Sequence, residues 1–486
     1  MRGEDAVVRF PRHRWGPRAW SSRAVAVLVA AVLITGCAGA ASGGGTDPAS
    51  PKPPQLRMLY ATAEANATAV QSILPRFREV FGFDLQIDTQ PYDALQQRVY
   101  AEVATRSSHY DILVVDTPWA PALVRALEPL GPYLENPALG DVAPARLDDM
   151  IPKVLADTAV YDADDEVRQF PTPETAADLG SVRSQGFEVY GMPLQANAMV
   201  MAYRKDLFAN PAEREAFRTR YGRPLTVPAT WDEFAQVAEF FTRPEQRLYG
   251  TTMMAGVGDW ATDDFKSLLA GFGGNGRMIN DDLSLDFTGR AGEKALTWYH
   301  DLISGKKSVP PGTTAASWDE AASSFDSGLT AMTFNYHSLE LDAAVGGEIG
   351  YAPVPTGVGR GPHFGTWMLS INKYSQNKAW AYRAISWLTA PEQQLAMTAE
   401  GLHPSRTSVY QQLAGDEFYT ALGESLAEGV GRPRLTNYTE ISRAIAVAVN
   451  TAASGAATPR AALDKAAEDV NRRLRQAGYR LPEGTP

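Results

Sequence analysis

The sequence YDILVVDTPW, residues 110–119, contains a short apolar run that stops abruptly at Asp116. Such runs, bounded by polar and turn residues, are typical of buried strands. Residues 56–60 and 83–89 are also predicted strands, and apolar residues at helical spacing separate the three segments. This alternation predicts an α/β fold with a mainly parallel sheet covered by helices. Ligands bind beyond the carboxyl ends of such strands, which makes Asp116 the first candidate site residue.

The remainder of the chain continues the alternation of helices and strands. Residues 190–208, YGMPLQANAMVMAYRKDLF, predict a proline turn, a strand and the start of a helical region. Thr230, followed three residues later by Glu233, predicts a capped helix start. Residues 441–477 carry apolar side chains at helical spacing. The 486-residue chain exceeds the usual size of one domain even without its first 36 residues, so we expect two lobes.

The N-terminal segment has the layout of a secretory signal. Several arginines precede the apolar run 24–35, which is shorter than the roughly 20 residues that a spanning helix needs. Cys37, the only cysteine, follows at once and resembles the acceptor cysteine of a bacterial lipobox. A buried free cysteine is the alternative, but the Gly-, Ser- and Pro-rich residues 38–54 cannot form a core. We expect a mature chain that begins at Cys37 and is anchored by lipid, such as palmitate, to the outer face of the cell membrane.

Composition excludes several classes of partner and site. The formal charge is -11, which argues against nucleic acid and against electrostatic attachment to anionic lipid. With one cysteine there is no internal disulfide and no cysteine-based metal site. The histidines have no metal-ligand spacing, and neither a Gly-x-Ser-x-Gly elbow nor a His-Glu-x-x-His pair occurs. We therefore predict no catalytic residue, no metal and no cofactor, although a converging pair of carboxylates stays open as the signature of a glycoside hydrolase.

Polar and aromatic side chains recur where strands end and turns begin. A sugar presents hydroxyl groups at its rim and C–H faces above and below, so its site needs hydrogen-bonding side chains and flat aromatic surfaces. Asp116 could instead cap the following helix, and Asn197 could hold a hinge. Trp231, Trp298, Trp380 and Trp387 lie in helical patterns typical of core residues. The candidates that remain are Tyr92, Asp116, Trp119, Asn197, Trp260, Trp318, Asp319, Asn335, Tyr336, Trp367 and Arg406.

Ordered segments of the chain resemble the extracellular sugar-binding proteins of ABC importers, the maltose-binding-protein-like family. The similarity extends over the whole mature chain. Its segments are YDILVVDTPW (110–119), residues 190–208, PATWDEF (228–234), residues 249–253, WDEAASSFDSGLTAMTFNY (318–336), GTWMLSINK (365–373) and WLTAPE (387–392). The resemblance implies a venus-flytrap fold of two α/β lobes joined by hinge strands, with the ligand in the cleft between them.

The resemblance also implies a division of the chain and a set of ligand contacts. A signal peptide, residues 1–36, precedes an anchored linker, residues 37–55. The N-terminal lobe takes residues 56–193 and 333–366, and the C-terminal lobe takes 194–332 and 367–480. The chain would cross between lobes near residues 192–196, 332–335 and 367–371. The implied ligand contacts are Asp116, Asn197, Trp318, Asp319, Trp367 and Arg406, with further candidates at Glu64, Tyr92, Trp119, Trp260 and Tyr336.

The function implied is capture of a carbohydrate (an oligosaccharide, a sugar or a polyol) and its delivery to the transmembrane subunits of an ABC permease. The binding protein would be a monomer and would work by hinge closure. Three alternatives stay open: a receptor for another polar solute such as a glycerophosphodiester, a secreted carbohydrate-active hydrolase, and a sensor that signals ligand occupancy.

Overall fold

The computed structural model describes residues 47–53, 55–62, 66–164, 169–336, 339 and 345–485. The predicted signal peptide, the predicted anchor residue Cys37, most of the predicted linker and the candidate Glu64 lie outside the described residues. The strands are β1 Gln55–Ala61, β2 Asp84–Gln90, β3 Ile112–Asp116, β4 Val160–Tyr161, β5 Glu188–Val189, β6 Met192–Ala198, β7 Val200–Arg204, β8 Tyr249–Thr251, β9 Thr330–Asn335, β10 Ile349–Pro353 and β11 Phe364–Ile371.

Helices surround the strands. They are α1 Ala67–Ser72, α2 Leu74–Phe81, α3 Tyr92–Ala104, α4 Ala120–Leu123, α5 Gly131–Leu134, α6 Pro152–Ala159, α7 Leu179–Ser184, α8 Lys205–Ala209, α9 Pro211–Tyr221, α10 Trp231–Phe241, α11 Asp259–Gly271, α12 Arg290–His300, α13 Trp318–Asp326, α14 Lys378–Leu388, α15 Pro391–Met397, α16 Thr407–Gln412, α17 Glu417–Glu428, α18 Tyr438–Ala453 and α19 Pro459–Gln476. Thr230 caps α10 as predicted, since its hydroxyl accepts a hydrogen bond from Glu233 N. Within the described ranges, no helix has both the length and the apolar character that a membrane crossing requires.

The first sheet has the strand order β2-β1-β3-β11-β6. β1 pairs in parallel with β2 and β3, as the alternation of strands and helices predicts. β11 runs antiparallel between β3 and β6. Every residue of β3 and β11 is buried, which agrees with their nearly continuous apolar sequences. The α/β fold class is therefore confirmed for this part of the chain, although the sheet is mixed rather than mainly parallel, with two parallel and two antiparallel pairings.

The second sheet has the strand order β10-β7-β9-β8. Only β8 and β9 pair in parallel, and the other two pairings are antiparallel. The expectation of a mainly parallel sheet is therefore wrong for this second sheet. The physical reason is that apolar patterning marks a strand and its burial but carries no information on the direction of its neighbours.

Each sheet has its own apolar core, and we use these cores to define two lobes. The first-lobe core draws on residues 56–194 and 367–402, and the second-lobe core draws on residues 199–354 and 435–479. This corrects the expected division, which gave 333–366 to the first lobe and 367–480 to the second. β11 joins the first sheet through hydrogen bonds to two strands, and Trp387 of α14 packs edge-on against Phe77 at 5.6 Å.

The chain crosses between the lobes at Met199, within residues 354–363, and within residues 403–434, where α17 packs in a third apolar cluster against strands of both sheets. The first crossing lies close to the expected one, whereas the other two lie away from the expected residues 332–335 and 367–371. Met199 N donates a 3.0 Å hydrogen bond to His363 O, and Val430 N donates one of 3.0 Å to Pro362 O. The three crossing segments therefore run side by side as a hydrogen-bonded hinge.

Candidate functional site

A cleft between the two lobes contains two adjoining chambers. The inner chamber encloses about 50 Å³ and is lined by Tyr92, Asp116, Asn197, Trp318, Tyr336, Gly365, Trp367 and Arg432. The outer chamber encloses about 250 Å³ and is lined by Tyr92, Asp93, Gln96, Pro118, Trp119, Val257, Gly258, Asp259, Trp260, Trp318, Tyr438, Thr439, Ser442 and Arg443. Tyr92 and Trp318 belong to both linings and separate the two chambers.

The register of the first sheet brings its site residues together. Asp116, the last residue of β3, lies directly opposite Trp367 of β11. Asn197 of β6 lies opposite Gly365, two residues before Trp367 on the same strand. Partners in register, and residues two apart on one strand, point to the same side of a sheet. These four positions therefore face one side of the sheet, and that side forms the floor of the inner chamber.

Aromatic rings make the walls of the cleft. Tyr92, Trp119 and Trp367 of the first lobe contact one another with ring centroids 5.0–5.8 Å apart. From the second lobe, Trp318 lies 6.4 Å from Tyr92 and 5.2 Å from Trp260, centroid to centroid. Such mutually supporting rings offer flat apolar surfaces whose positions are fixed before a ligand arrives.

Asp116 is the acceptor at the floor of the inner chamber. Its Oδ2 accepts a 2.8 Å hydrogen bond from the Tyr92 hydroxyl, and its Oδ1 accepts one of 2.8 Å from Thr117 N. Burial raises the pKa of Asp116 to about 6, although the nearby Arg432 and the Tyr92 hydrogen bond work in the opposite direction. The carboxyl group is therefore ionised at neutral pH and able to accept hydrogen bonds from a ligand.

Arg432 supplies a cation to the same chamber from the third crossing segment. Its Nε and Nη2 each lie 2.8 Å from Asp259 Oδ2, and Nη2 lies 3.5 Å from Asp263 Oδ1. Burial lowers the pKa of Arg432, but Asp259, Asp263 and Asp116 raise it by more, so the net shift is upward. Its third nitrogen, Nη1, is buried and has no hydrogen-bond partner among the residues that the structure describes.

Gly365 makes room for this guanidinium group. A Cβ at position 365 would lie 2.8 Å from Arg432 Nη1, closer than side chains normally approach. A larger residue there would displace Arg432 from the floor of the inner chamber.

A buried polar network behind Arg432 fixes the crossing segments. His363 Nε2 lies 3.0 Å from Asp263 Oδ1, and His363 Nδ1 lies 3.1 Å from Lys266 Nζ. Lys266 Nζ also donates to the carbonyl oxygens of Val430 and Gly431, the two residues before Arg432. Burial lowers the pKa of Lys266 well below its usual value and raises the pKa of Asp263 to about 8. The network therefore holds the backbone next to Arg432 through hydrogen bonds from Lys266.

Two predicted contacts lie outside both chambers. Asp319 is exposed in the first turn of α13 and borders a separate surface depression. Arg406 is fully buried in the first lobe, where its guanidinium donates to the carbonyl oxygens of Thr389 and Ala145 at 2.7 and 2.8 Å and of Arg146 at 2.5 Å. Arg406 therefore ties loops of the first lobe together and does not reach the cleft.

The other predicted residues in the described ranges do meet at the cleft. Tyr92, Asp116, Asn197, Trp318, Tyr336 and Trp367 line the inner chamber, and Trp119 and Trp260 line the outer one. Asn335 lies behind the wall, where its Nδ2 donates to Trp318 O at 3.3 Å. Sequence reasoning missed Arg432, Asp259 and Gly365. The available signal for Arg432 was GVGRPR, residues 429–434, a Gly- and Pro-rich segment that places two arginines between helical patterns.

No group of acidic, histidine or cysteine side chains in the described ranges is arranged to hold a metal ion. The cleft instead combines aromatic walls with hydrogen-bonding groups from both lobes, an arrangement typical of a site for a small polar ligand.

Comparison with known proteins identifies the family. The family model described as bacterial extracellular solute-binding protein matches residues 61–395. The chain belongs to this family. Two curated relatives agree with this assignment. A mannitol-binding protein of Pseudomonas aeruginosa is 24% identical over 418 residues, covering 80% of this chain and 85% of the relative. A probable ABC transporter-binding protein of Deinococcus radiodurans is 24% identical over 333 residues, covering 64% and 76%.

Solved structures confirm the two-lobed fold of this solute-binding protein. Maltose-bound MalE3 of T. maritima has a TM-score of 0.68 and 23% identity, covering 86% of this chain and 100% of that chain. A solute-binding protein of Agrobacterium radiobacter in complex with ribitol has a TM-score of 0.66 and 24% identity, covering 86% and 98%. One of Agrobacterium vitis with bound D-mannitol has a TM-score of 0.66 and 21% identity, covering 87% and 99%.

Proposed function

We propose that this chain is the substrate-binding lipoprotein of an ABC importer and captures a sugar, oligosaccharide or polyol between its lobes. The inner chamber carries the proposal, because its lining combines Asp116 and Asn197 of the first lobe with Arg432 of the third crossing segment and with the rings of Trp318 and Trp367. Hydroxyl groups match these acceptors and donors, and the C–H faces of a sugar match the rings. The mannitol, ribitol and maltose of the similar proteins belong to this ligand class.

The proposed mechanism is hinge closure without chemistry. A ligand that bonds both to Asp116 and to Arg432 joins the two lobes and favours the closed form. The ligand favours the closed form only to the extent that it binds the closed form more tightly than the open form. The hydrogen-bonded crossing segments provide the axis of this motion. The closed form would then dock on a membrane permease, whose ATPase subunits supply the energy.

Membrane attachment through Cys37 is part of the proposal. The sequence features that support it are the basic and apolar segments before Gly36-Cys37 and the flexible residues after them. Fractionation of cells that produce the wild type or Cys37→Ser tests the anchor. We expect the wild type in the membrane fraction and the variant released as a monomer. A variant that stays on the membrane would contradict lipid attachment at this residue.

A thermal-shift screen of the purified protein tests the ligand class. The panel contains alditols, mono-, di- and trisaccharides, and glycerophosphodiesters. A ligand at about 100 times its dissociation constant adds roughly 2.7 kcal/mol of stability, which gives a clear rise in melting temperature. We expect a response to carbohydrates or alditols and recovery of the compound intact. Consumption of the compound would instead indicate a hydrolase, and a response only to phosphodiesters would indicate a different solute.

A further inference from the structure

The inner chamber has more unmet hydrogen-bond donors than acceptors. Arg432 Nη1 and Trp318 Nε1 are buried without a hydrogen-bond partner in the described part of the chain, and so is the Tyr336 hydroxyl, which can donate or accept. Asn197 uses its Oδ1 in a 2.7 Å contact with His403 Nδ1, which leaves the amide NH₂ group to face the chamber. The main acceptor is Asp116, whose Oδ1 accepts hydrogen bonds from Thr117 N and Oγ1, while Oδ2 accepts one from Tyr92 and keeps a lone pair for a ligand. A ligand must therefore offer several acceptor oxygens and a smaller number of donors.

The charges around the cleft disfavour an anionic ligand, and the unmet donors disfavour a cationic one. Asp116, Asp93 and Asp259 line the chambers, against the cations Arg432 and Arg443. Arg432 already uses Nε and Nη2 on Asp259, so an anionic group would gain one free donor and would face the carboxylates. An ammonium group could pair with Asp116, but it has no acceptor for the unmet donors. Hydroxyl groups both accept and donate, and they bring no charge into the chamber.

The partition between the chambers limits the length of the ligand. Tyr92 and Trp318 stand edge to face with ring centroids 6.4 Å apart, and both line both chambers. The Tyr92 hydroxyl donates a hydrogen bond to Asp116, and the Tyr92 ring packs against Trp119 and Trp367. An oligosaccharide that fills both chambers must push this supported pair apart. A ligand of one sugar unit needs only a widening of the inner chamber.

We propose that the ligand is an uncharged polyhydroxy compound of single-sugar size, an alditol or a monosaccharide, and that Arg432 determines this specificity through its free Nη1. This inference rests on the proposed function and narrows it. Arg432 and Asp116 act as a donor and acceptor pair for neighbouring hydroxyl groups. Gly365 allows the guanidinium group to reach them, because its hydrogen occupies the space that a Cβ would take.

Calorimetric titration of the full chain tests the ligand class. The probes are ribitol, D-mannitol, D-glucose, maltose, maltotriose, gluconate and glucosamine. We expect at least one uncharged single-unit compound to bind about tenfold or more tightly than maltotriose and than the two charged compounds. Tighter binding of maltotriose, or of gluconate or glucosamine, would overturn the inference and leave the proposed function intact. Absence of binding by every probe would overturn both.

The variant Arg432→Lys tests the specificity residue with its positive charge retained. The lysine has no group at the position of Nη1, so affinity for the best single-unit ligand should fall about 10- to 100-fold, the usual worth of a charge-assisted hydrogen bond. Affinity for maltotriose should change little. The matched control is Arg243→Lys, which alters an arginine paired with Glu213 at 2.5 Å outside both chamber linings. That variant should retain wild-type affinity.

Gly365→Ala provides a second variant if Arg432→Lys does not fold. Its methyl group displaces Nη1 without removing a charge or a hydrogen-bonding group. We expect weaker binding of the single-unit ligand and an unchanged far-ultraviolet circular dichroism spectrum. Wild-type affinity in either folded variant would overturn the role of Arg432.

Discussion

Trp367 lies directly opposite Asp116 in the antiparallel pair formed by β11 and β3. This register places an indole ring beside the carboxylate on one side of the sheet, and Tyr92 contacts both of them. The floor of the inner chamber is thus a property of strand pairing, which fixes the aromatic and the charged group relative to each other before a ligand binds.

Trp367→Ala and Trp318→Ala should separate packing from binding. Trp367 is only 3% exposed and belongs to the first-lobe core, so its loss should lower the free energy of unfolding by about 3–5 kcal/mol as well as weaken binding. Trp318 is half-buried at the partition, so its loss should weaken binding with a smaller loss of stability. Urea unfolding and calorimetry measure the two effects. Equal stability losses would contradict this distinction.

Asp116→Asn should weaken ligand binding about tenfold at pH 7.5, because a neutral amide is a poorer acceptor than a carboxylate. Since the pKa of Asp116 in the free protein is about 6, wild-type affinity should fall as the pH drops from 7 to 5, when the carboxylate takes up a proton. The variant should lack this pH dependence. Titrations from pH 5 to pH 8 test it, with the exposed Asp319→Asn as the matched control. An identical pH profile in Asp116→Asn would assign the effect to another group.

Arg406→Met should destabilise the protein and leave ligand affinity unchanged. The substitution removes a buried guanidinium group that donates to three carbonyl oxygens. Thr389 O and Arg146 O keep donors in Gln394 Nε2 and Asp149 N, but Ala145 O loses its donor, so we expect a cost of about 1–3 kcal/mol of unfolding free energy. The measurement combines urea unfolding with calorimetric titration at a temperature where the variant is folded. A large loss of affinity with normal stability would return Arg406 to the binding site that the sequence suggested.

Asp264→Asn should make stability less sensitive to pH. Asp264 Oδ2 accepts hydrogen bonds from Met254 N at 2.7 Å and the Tyr299 hydroxyl at 2.9 Å, and burial raises the pKa of Asp264 from 3.8 to about 7. The folded protein therefore holds a proton that the unfolded chain releases above about pH 4, so raising the pH from 4 to 7 destabilises the folded state.

Across that window, the unfolding free energy of the wild type should fall by roughly 1.4 kcal/mol per pH unit more than that of Asp264→Asn. Urea unfolding at pH 5 and pH 7 tests this difference. The exposed Asp232→Asn serves as the control and should follow the wild type. Parallel pH profiles for the wild type and Asp264→Asn would show that Asp264 is already ionised in the folded protein.

The sequence by itself determined the α/β alternation and much of the candidate site. The apolar run before Asp116 marked a buried strand and its end, because burial and strand termination leave a local trace in residue type. Tyr92, Trp318, Tyr336 and Trp367 were found for a similar reason, as polar or aromatic residues at strand ends and turns. These inferences needed only neighbours along the chain.

Only the tertiary structure decided which strands pair with each other and which arginine, Arg432, lies in the cleft. β11 enters the first sheet between β3 and β6 through backbone hydrogen bonds, which depend on no particular side chain, so the lobe boundaries could not be read from apolar pattern. In the sequence, Arg432 is one of two arginines in a Gly- and Pro-rich segment and gave no sign of a role in the site. Arg406 was predicted to be a ligand contact. Contacts distant in sequence reversed these roles: Asp259 and Gly365 direct Arg432 to the chamber, whereas carbonyl oxygens of the first lobe hold Arg406 away from it.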